Sequence, residues 1–323
     1  MTPASNCLTP SLGRFVVFTA QFGNADPIMP VLRPVSGVGY LVLTDRPMRV
    51  PRPWVVRLVD LPAELRTDRH RNRYCKFHAT RLLSEFDRSL YIDAHPQMTG
   101  DLTELFIDFI QSERCLGLMR HHRSMSVDHE VERSLRSGRI TEQDVMLNWP
   151  QQRSRQRQAG FRDDLGILRG MMILRDHRCD RTTRFEEAWW EEFSNGVTRD
   201  QVALPFAVWS TGIDLFRIPD HWLRPPYLRR FEHLPAHHHW ERIARWFESR
   251  REPELGPGII AIALRPIESL RVLRRGLDRM VVKQLSGRPV ARWLLRVLHP
   301  VAAGRSFVAH RMGSTRSKKA PRP

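Results

Sequence analysis

The sequence has few cysteines and no long hydrophobic run. Its four cysteines, at positions 7, 75, 115 and 179, form no C-x-x-C pair. This spacing predicts neither a disulfide framework nor a zinc cluster, and it is typical of a reducing compartment. The most apolar run, residues 258–264, is far shorter than the roughly 20 residues that cross a bilayer. Residues 1–13 lack the basic and apolar regions of a signal peptide, so we expect a cytoplasmic protein.

The chain also lacks the short motifs of several enzyme classes. It contains no G-x-G-x-x-G fingerprint, no P-loop, no G-x-S-x-G turn and no H-E-x-x-H zinc motif. Its hydrophobic fraction of 41% is sufficient for a folded core. The net charge of +17 is concentrated in residues 265–323, where 15 Lys or Arg and two acids leave about +4 for the rest. The basic character therefore belongs to the C-terminal part.

Short apolar runs alternate with helical patterns along the chain. The runs are bounded by Gly, Pro or Asp, which is typical of strands in a sheet that is covered on both faces. Apolar residues between the later runs follow a spacing of about 3.6 residues, which indicates helices. This alternation predicts an α/β protein with a doubly wound, mainly parallel sheet that is flanked by helices. The predicted strands are residues 15–19, 40–44, 54–59, 90–92, 115–119 and 171–174.

The composition divides the chain into four parts. We expect a flexible N-terminus, then the α/β domain, then an irregular arm that is rich in proline, histidine and aromatic residues. A basic α-helical extension with a disordered end follows. The boundaries are residues 1–13, 14–212, 213–257 and 258–323.

A stripe of cations is predicted on one helix. Arg69, Arg73, Lys76 and Thr80 are spaced four, three and four residues apart, which places them on one helical face. Arginine suits bidentate contact with phosphate and lysine acts as a point charge. The stripe predicts either a phosphate-binding surface or a basic face in solvent.

A pair of metal-ligand side chains follows the predicted strand at residues 90–92. Asp93 and His95 lie where open α/β sheets bind ligands, beyond the carboxyl end of a strand. A carboxylate and an imidazole together suit manganese, or a similar divalent ion, better than calcium. The alternative is that Asp93 caps a turn and His95 is a surface residue before Pro96.

The segment at residues 198–201 has two interpretations. Thr198 and Gln201 have the spacing of a capping box, with Asp200 in the first helical turn. Alternatively, Asp200 is a base or a ligand for acceptor hydroxyl groups. The local sequence alone favours the capping box.

Seven segments, in this order, resemble the glycosyltransferase-like domain family, a former domain of unknown function. Its plant members include proteins of seed-mucilage pectin and of turgor regulation. The resemblance covers about residues 14–212 and implies a GT-A-like fold with a nucleotide-binding sheet. The segments are residues 18–24, 43–45 with 54–56, 73–76, 91–94, 173–177, 189–192 and 199–201.

The resemblance also implies roles for individual residues. Asp93 of the D-x-D-type site would bind the metal, Mn²⁺ or Mg²⁺, and the local pattern adds His95 to it. His177 and Asp200 would line the sugar or acceptor side as the catalytic residues. The implied donor contacts are Thr19, Phe22 and Gly23 under the nucleotide, Asp45 near the base or ribose, and Arg73 and Lys76 at the diphosphate.

The chain departs from the family pattern at two places. Family members carry a His-Pro-x-Arg segment followed by Tyr and Glu, whereas this chain has residues 120–123 and then 127–130. Family members also carry a Glu before the strand at 171–174, where this chain has Arg169 and Gly170. Both departures bear on the identity of the acceptor and on the activity that the resemblance implies.

These observations predict a metal-dependent glycosyltransferase that uses a nucleotide-sugar donor and a glycan or lipid-linked acceptor. One alternative is a lipid-amide hydrolase, because a plant relative has been assigned a ceramidase role. It would need three metal ligands, for which only Asp93, His95 and His177 are candidates. The other alternative is a non-catalytic basic protein that binds a membrane or nucleic acid.

The basic extension itself predicts a membrane contact. Apolar residues mixed with Arg at helical spacing within residues 265–323 are typical of interfacial helices. We therefore expect peripheral association with an anionic membrane, on its cytoplasmic face. The alternative is that these helices pack on the α/β domain. Nucleic acid is not predicted as a partner, because no recognisable binding motif accompanies the charge.

Overall fold

The structure is a computed structural model that describes residues 11–23, 26–121 and 124–231. Within them a seven-stranded sheet and a two-stranded sheet are flanked by helices. The strands are β1 (Phe15–Ala20), β2 (Gly39–Thr44), β3 (Val55–Leu58), β4 (Arg88–Ile92), β5 (Pro96–Met98), β6 (Leu116–Arg120), β7 (Leu168–Asp176), β8 (Leu215–Arg217) and β9 (Leu228–Arg230). The α-helices are α1 (Asp68–Phe77), α2 (Ala79–Leu82), α3 (Thr103–Gln111), α4 (Val127–Arg136), α5 (Glu142–Gln158), α6 (Asp180–Ser194) and α7 (Asp200–Thr211), and a 3-10 helix spans Asp220–Leu223.

The larger sheet has the strand order β3-β2-β1-β4-β7-β6-β8. The pairs β2–β3, β1–β2, β1–β4 and β6–β8 are parallel, whereas β7 runs antiparallel to both β4 and β6. All six predicted strands are present, and the mainly parallel, helix-flanked α/β sheet that the sequence predicts is confirmed.

Both faces of the sheet are buried at its central strands, which explains their continuous apolar runs, whereas the edge strand β3 is partly exposed. Along β1, Val16 and Phe18 pack with side chains of α1, α6 and α7. Phe15 and Val17 point to the other face, where they pack with α3 and the 3-10 helix. Because successive side chains of a strand alternate between faces, a strand that is covered twice must be apolar throughout.

The segment predicted to be an irregular arm begins with regular structure. β8 extends the large sheet beside β6, and β9 pairs with β5 in the small antiparallel sheet. Three-residue strands are too short to carry a periodic signal, so they are formed by tertiary pairing rather than by local pattern. The remainder of the arm, from residue 232, lies outside the described residues, as do the basic extension and residues 1–10.

The expectation that the cysteines form no disulfide is wrong. Cys115, just before β6, is bonded to Cys179, just before α6, with 5.9 Å between their Cα atoms. The two residues are 64 positions apart, so only the packing of α6 against the sheet brings them together. Because disulfides are typical of oxidising compartments, the cysteines no longer support the prediction of a reducing compartment.

No helix in the described part of the chain is both long enough and apolar enough to cross a bilayer. The predicted membrane contact concerns residues 265–323, outside that part, and it stays a prediction.

Candidate functional site

A cavity of about 570 Å³ lies at one edge of the large sheet. It opens where β1 and β4 end and where the antiparallel β7 begins. This is the position at which open α/β sheets bind ligands, and the volume is typical of a small-molecule site. Its walls come mainly from residues 20–22 at the end of β1, Arg69, Asn72, Arg73 and Lys76 of α1, residues 93–95 after β4, residues 169–171 of β7 and residues 199–201 at the start of α7.

The cationic stripe of α1 forms one wall and runs from the mouth of the cavity to its floor. Arg69 is exposed, the Arg73 side chain is 23% exposed, and that of Lys76 is 2% exposed. The predicted stripe is therefore correct for these three residues. It is wrong for Thr80, because α1 ends at Phe77; the backbone N–H of Thr80 instead donates to Glu186 Oε2 at 3.1 Å.

Asp200 forms ion pairs with two cations of this stripe, Arg73 and Lys76. Lys76 Nζ donates to Asp200 Oδ2 at 2.7 Å, and Arg73 Nε lies 3.4 Å from the same oxygen. Arg199 Nη1 lies 3.4 Å from Oδ1. Burial raises the pKa of Asp200, but the charges of Arg73, Lys76 and Arg199 outweigh it and place that pKa far below its usual range. Asp200 is therefore a permanent anion and a poor proton acceptor, which does not suit the predicted role of base.

The capping-box interpretation of residues 198–201 is also wrong. The N-cap of α7 is Arg199, and no side chain makes a capping hydrogen bond there. The hydroxyl of Thr198 donates to Asp144 Oδ2 at 2.6 Å instead. Asp200 is thus placed by its ion pairs and not by a local helix signal.

Asp93 and His95 both line the cavity, as predicted. Asp93 Oδ1 accepts a hydrogen bond from the Tyr91 hydroxyl at 2.9 Å and lies 3.9 Å from Lys76 Nζ. Its side chain is 29% exposed. The structure therefore brings the predicted metal ligands and the predicted diphosphate ligands into one cavity.

The donor set at Asp93 fits a divalent cation that is shared with a substrate. In the described residues no group of three or more His, Cys, Asp or Glu side chains could hold a metal ion by itself. With one carboxylate and one imidazole as protein ligands, diphosphate oxygens and water would occupy the remaining coordination positions of the cation. Magnesium is commonly bound in this way, through one or two carboxylates and substrate phosphates.

Not all of the residues predicted to contact the nucleotide line the cavity. Phe22 lines it, whereas Thr19 is buried in β1, with no hydrogen-bond partner for its hydroxyl among the described residues. Gly23 has φ +64°, and a Cβ at this position would overlap the Asp68 carboxylate. Asp45 does not line the cavity; it accepts a hydrogen bond from Arg71 at 3.0 Å.

The structure does not bring His177 to this site. Because β7 is antiparallel to β4, Asp176 pairs with Arg88 at the beginning of β4, and His177 follows at the opposite edge of the sheet. Its Nε2 lies 2.8 Å from Ser89 Oγ, and burial lowers its pKa to about 4. The predicted catalytic role of His177 is therefore wrong. The hydrolase alternative also loses its third metal ligand.

A buried ion cluster at the site was missed by sequence reasoning. Glu130 is fully buried and accepts hydrogen bonds from Arg133 at 2.6 Å and from Arg199 at 2.9 Å. His121 also lines the cavity, and burial lowers its pKa to about 4, so its imidazole is neutral at pH 7. The feature of the sequence that could have indicated this cluster is the spacing of Glu130 and Arg133, which are three residues apart on a helix. Both His121 and Glu130 lie in the segment that departs from the family pattern.

No protein-family model matches the sequence, and neither does any curated protein. The solved structures that are similar to the chain include three glycosyltransferases. The WbbM bifunctional glycosyltransferase is 11% identical over 69% of this chain, with a TM-score of 0.37. Mouse xyloside xylosyltransferase 1 is 8% identical over 65%, with a TM-score of 0.38. GlyE, a glycosyltransferase of Streptococcus pneumoniae TIGR4, is 11% identical over 65%, with a TM-score of 0.37.

These matches cover 40% of WbbM, 86% of the xylosyltransferase and 46% of GlyE. The chain thus spans less than half the length of two of the three. Similarities of this size assign no activity.

Proposed function

We propose that the protein is a glycosyltransferase that moves a sugar from a nucleoside-diphosphate donor to a glycan or lipid-linked acceptor. The observation that carries this proposal is the convergence of Arg73, Lys76 and Asp93 in the cavity at the strand ends. A diphosphate needs fixed cations, and arginine and lysine are the side chains that bind phosphate oxygens best.

Lys76 and Arg73 would stabilise the leaving diphosphate. When the bond between the sugar and the diphosphate breaks, negative charge builds on the departing phosphate oxygen. Lys76 is buried and fixed by Asp200 at 2.7 Å, so its charge is oriented before the reaction begins. Oriented charges that need no rearrangement are the most effective stabilisers of a transition state. Asp200 acts in this proposal as the positioning residue for both cations.

Gln21 would contact the nucleoside. This residue directly follows β1 and is buried, with an exposed fraction of 6%. Nε2 donates to the backbone oxygen of Asp26 at 3.0 Å, whereas Oε1 has no hydrogen-bond partner among the described residues. A buried acceptor without a partner is costly. An N–H or hydroxyl group of the nucleoside would satisfy it.

The proposal includes a divalent cation, Mn²⁺ or Mg²⁺, held by Asp93 and His95. When bound, the cation would neutralise charge on the diphosphate. The hydrogen bond from Tyr91 fixes the orientation of the Asp93 carboxylate, and fixed supporting groups of this kind are usual around metal ligands.

Titration of the full chain with nucleoside diphosphates, with and without manganese, tests the proposal. We expect at least one nucleoside diphosphate to bind and to raise the melting temperature, because a ligand that binds only the native state stabilises it. Asp93→Asn should abolish the manganese-dependent part of this binding and leave the fold intact, since Asp93 is partly exposed. Asp108→Asn on α3, also exposed, is the control.

Failure of every nucleoside diphosphate to bind would overturn the proposal. If manganese-dependent binding is undiminished in Asp93→Asn, only the metal assignment is lost.

A further inference from the structure

The break between α1 and α2 is spanned by two side chains from other elements. The two helices are separated by a single residue. In an unbroken helix the backbone N–H of Thr80 would donate to the carbonyl oxygen of Lys76, four residues earlier. In the structure this N–H donates to Glu186 Oε2 at 3.1 Å, and the Lys76 oxygen accepts from Arg175 Nη2 at 2.7 Å. Arg175 and Glu186 thus take the place of the missing helical hydrogen bond.

These two side chains form an ion pair inside the protein. Arg175 of β7 is 0% exposed and Glu186 of α6 is 2% exposed, and Arg175 Nε lies 2.8 Å from Glu186 Oε1. The hydroxyl of Thr80 also donates to Glu186. The pair therefore ties the end of α1 to the sheet and to α6, at the residue that supplies the ammonium group of the cavity.

Stability alone does not explain why this ion pair is present. Taking two charges out of water costs about as much free energy as their attraction provides, and apolar residues of similar volume often replace a buried pair without loss of stability. Nη1 of Arg175 also has no hydrogen-bond partner among the described residues, which adds to the cost. What an apolar pair could not supply is the two hydrogen bonds to the backbone of Lys76 and Thr80.

The side chain of Lys76 has little room to compensate for a shift of its backbone. It is 2% exposed, and its ammonium nitrogen lies 5.1 Å from the ring centroid of Tyr91 and 5.7 Å from that of Trp189. A Cβ on Gly170 would lie 2.9 Å from the same nitrogen. Because these groups enclose the side chain, the position of the Lys76 backbone determines where its ammonium group meets Asp200 and the cavity.

We propose that Arg175 and Glu186 are positioning residues that determine where Lys76 presents its charge to the leaving diphosphate. This inference rests on the glycosyl transfer proposed above. Neither Arg175 nor Glu186 lines the cavity, whereas Lys76 does, so the pair acts through the end of α1. Stabilisation of a transition state depends on charges that are oriented beforehand, and the bonds that hold the end of α1 supply part of that orientation.

Calorimetry on the full chain tests this proposal, with UDP, GDP, CDP and ADP as probes and manganese present. Arg175→Met combined with Glu186→Gln removes both charges together, so neither is left buried without its partner. We expect the affinity of the nucleoside diphosphate that binds to fall about tenfold, the lower end of the range for a hydrogen bond to a charged group. The melting temperature should change little.

Two further variants make the test specific. Arg88→Met combined with Asp176→Asn is the matched control, because it removes an ion pair of 3.1 Å that also joins β4 to β7, but at the sheet edge opposite the cavity. This control should keep the affinity. Arg175→Lys keeps the charge beside Glu186 but lacks the planar fork that holds two partners at once, so it should lose part of the affinity.

The same substitutions in a Lys76→Ala background distinguish positioning from general support. If Arg175 and Glu186 act through Lys76, replacing them should cause no further loss of affinity once the Lys76 ammonium group is absent, because the effects of coupled residues do not add. A pair that only supports the fold would cause the same fold-loss of affinity in both backgrounds.

Unchanged affinity in both the pair variant and Arg175→Lys would overturn the inference. An equal loss in the control pair, or an undiminished loss in the Lys76→Ala background, would also overturn it. In each of these cases the wild type still binds a nucleoside diphosphate, so the proposed function stands. If none of the four diphosphates binds the wild type, the proposed function fails and this inference fails with it.

Discussion

At the scale of single residues, the ion pair of Lys76 and Asp200 determines what the cavity can bind. A buried ammonium is stable only beside a carboxylate, and Asp200 satisfies it at 2.7 Å. The pKa of Asp200 is held far below its usual range by Arg73, Lys76 and Arg199, against the effect of burial. Burial lowers the pKa of Lys76, and the charges of Asp200 and Asp93 oppose this effect. Asp200 therefore both fixes the position of the Lys76 ammonium group and helps to keep it charged.

Replacing either inner cation should weaken the binding of phosphate groups specifically. We expect Arg73→Ala and Lys76→Ala each to cost roughly 1.5–3 kcal/mol in the binding of a nucleoside diphosphate, the range for hydrogen bonds to charged groups. Binding of the corresponding nucleoside should change little. Calorimetry with both ligands measures the difference, and an equal loss for the nucleoside would mean that the cations maintain structure instead.

The buried imidazole of His177 should make stability depend on pH. Burial lowers its folded-state pKa to about 4, from an ordinary value of 6.5. Between these values the unfolded chain binds a proton that the folded protein does not, so stability falls as the pH is lowered from 6.5 toward 4. The loss from this group should reach about 2–3 kcal/mol.

Urea unfolding at pH 7 and pH 4.5 measures this effect. Glu186 works in the opposite direction, because burial raises its pKa to about 7, so the wild type alone is not sufficient. His177→Gln keeps an amide near Ser89 and does not titrate. We expect the variant to lose less stability than the wild type on acidification, and identical losses would contradict the assignment.

At the scale of elements, β7 and α1 together shape the floor of the cavity. Gly170 in β7 lies where a Cβ would be 2.9 Å from Lys76 Nζ and 3.5 Å from the Trp189 ring. The absence of a side chain at Gly170 therefore leaves space for the ammonium group of Lys76, which belongs to α1. The nearest atom, Lys76 Nζ, is the end of a flexible side chain. The methyl group of an alanine at position 170 would therefore displace the Lys76 ammonium group more readily than the backbone.

Gly170→Ala should reduce nucleoside-diphosphate affinity several-fold with little change in melting temperature. The physical reason is displacement of Lys76 Nζ away from the cavity. Gly39→Ala in β2 is the matched strand control, since a Cβ there meets its nearest neighbour at an ordinary 3.5 Å. An affinity loss in Gly170→Ala no larger than in Gly39→Ala would show that Lys76 keeps its position.

At the scale of the whole molecule, most of the net positive charge lies in the C-terminal part of the sequence. Residues 265–323 carry 15 Lys or Arg, with apolar residues at helical spacing among them. Anionic lipid contributes about 1 kcal/mol for each cation near a membrane surface. An acceptor that is attached to a lipid would be reached most easily by an enzyme at that surface.

We expect the full chain to sediment with anionic vesicles at low salt and not with neutral vesicles. Salt should weaken the association, because it screens the attraction between surface charges. Deletion of residues 265–323 should abolish it. If the intact chain stays in the supernatant with anionic vesicles, the membrane hypothesis is wrong.

The sequence by itself determined the class of fold and the main wall of the site. Burial on both faces favours apolar residues along a central strand, so these strands could be identified from their continuous apolar runs. The edge strand β3 has an apolar run as well, although it is partly exposed. Helical periodicity likewise placed Arg69, Arg73 and Lys76 on one face of α1. Asp93 and His95 could be found because they follow directly on a buried strand.

The tertiary structure alone decided which distant residues meet. The antiparallel direction of β7 sends His177 to the far edge of the sheet and brings Gly170 to Lys76. The bond between Cys115 and Cys179 joins residues that are 64 positions apart. Local patterns record the burial of each residue and its near neighbours, whereas strand direction and long-range pairing depend on how whole elements pack.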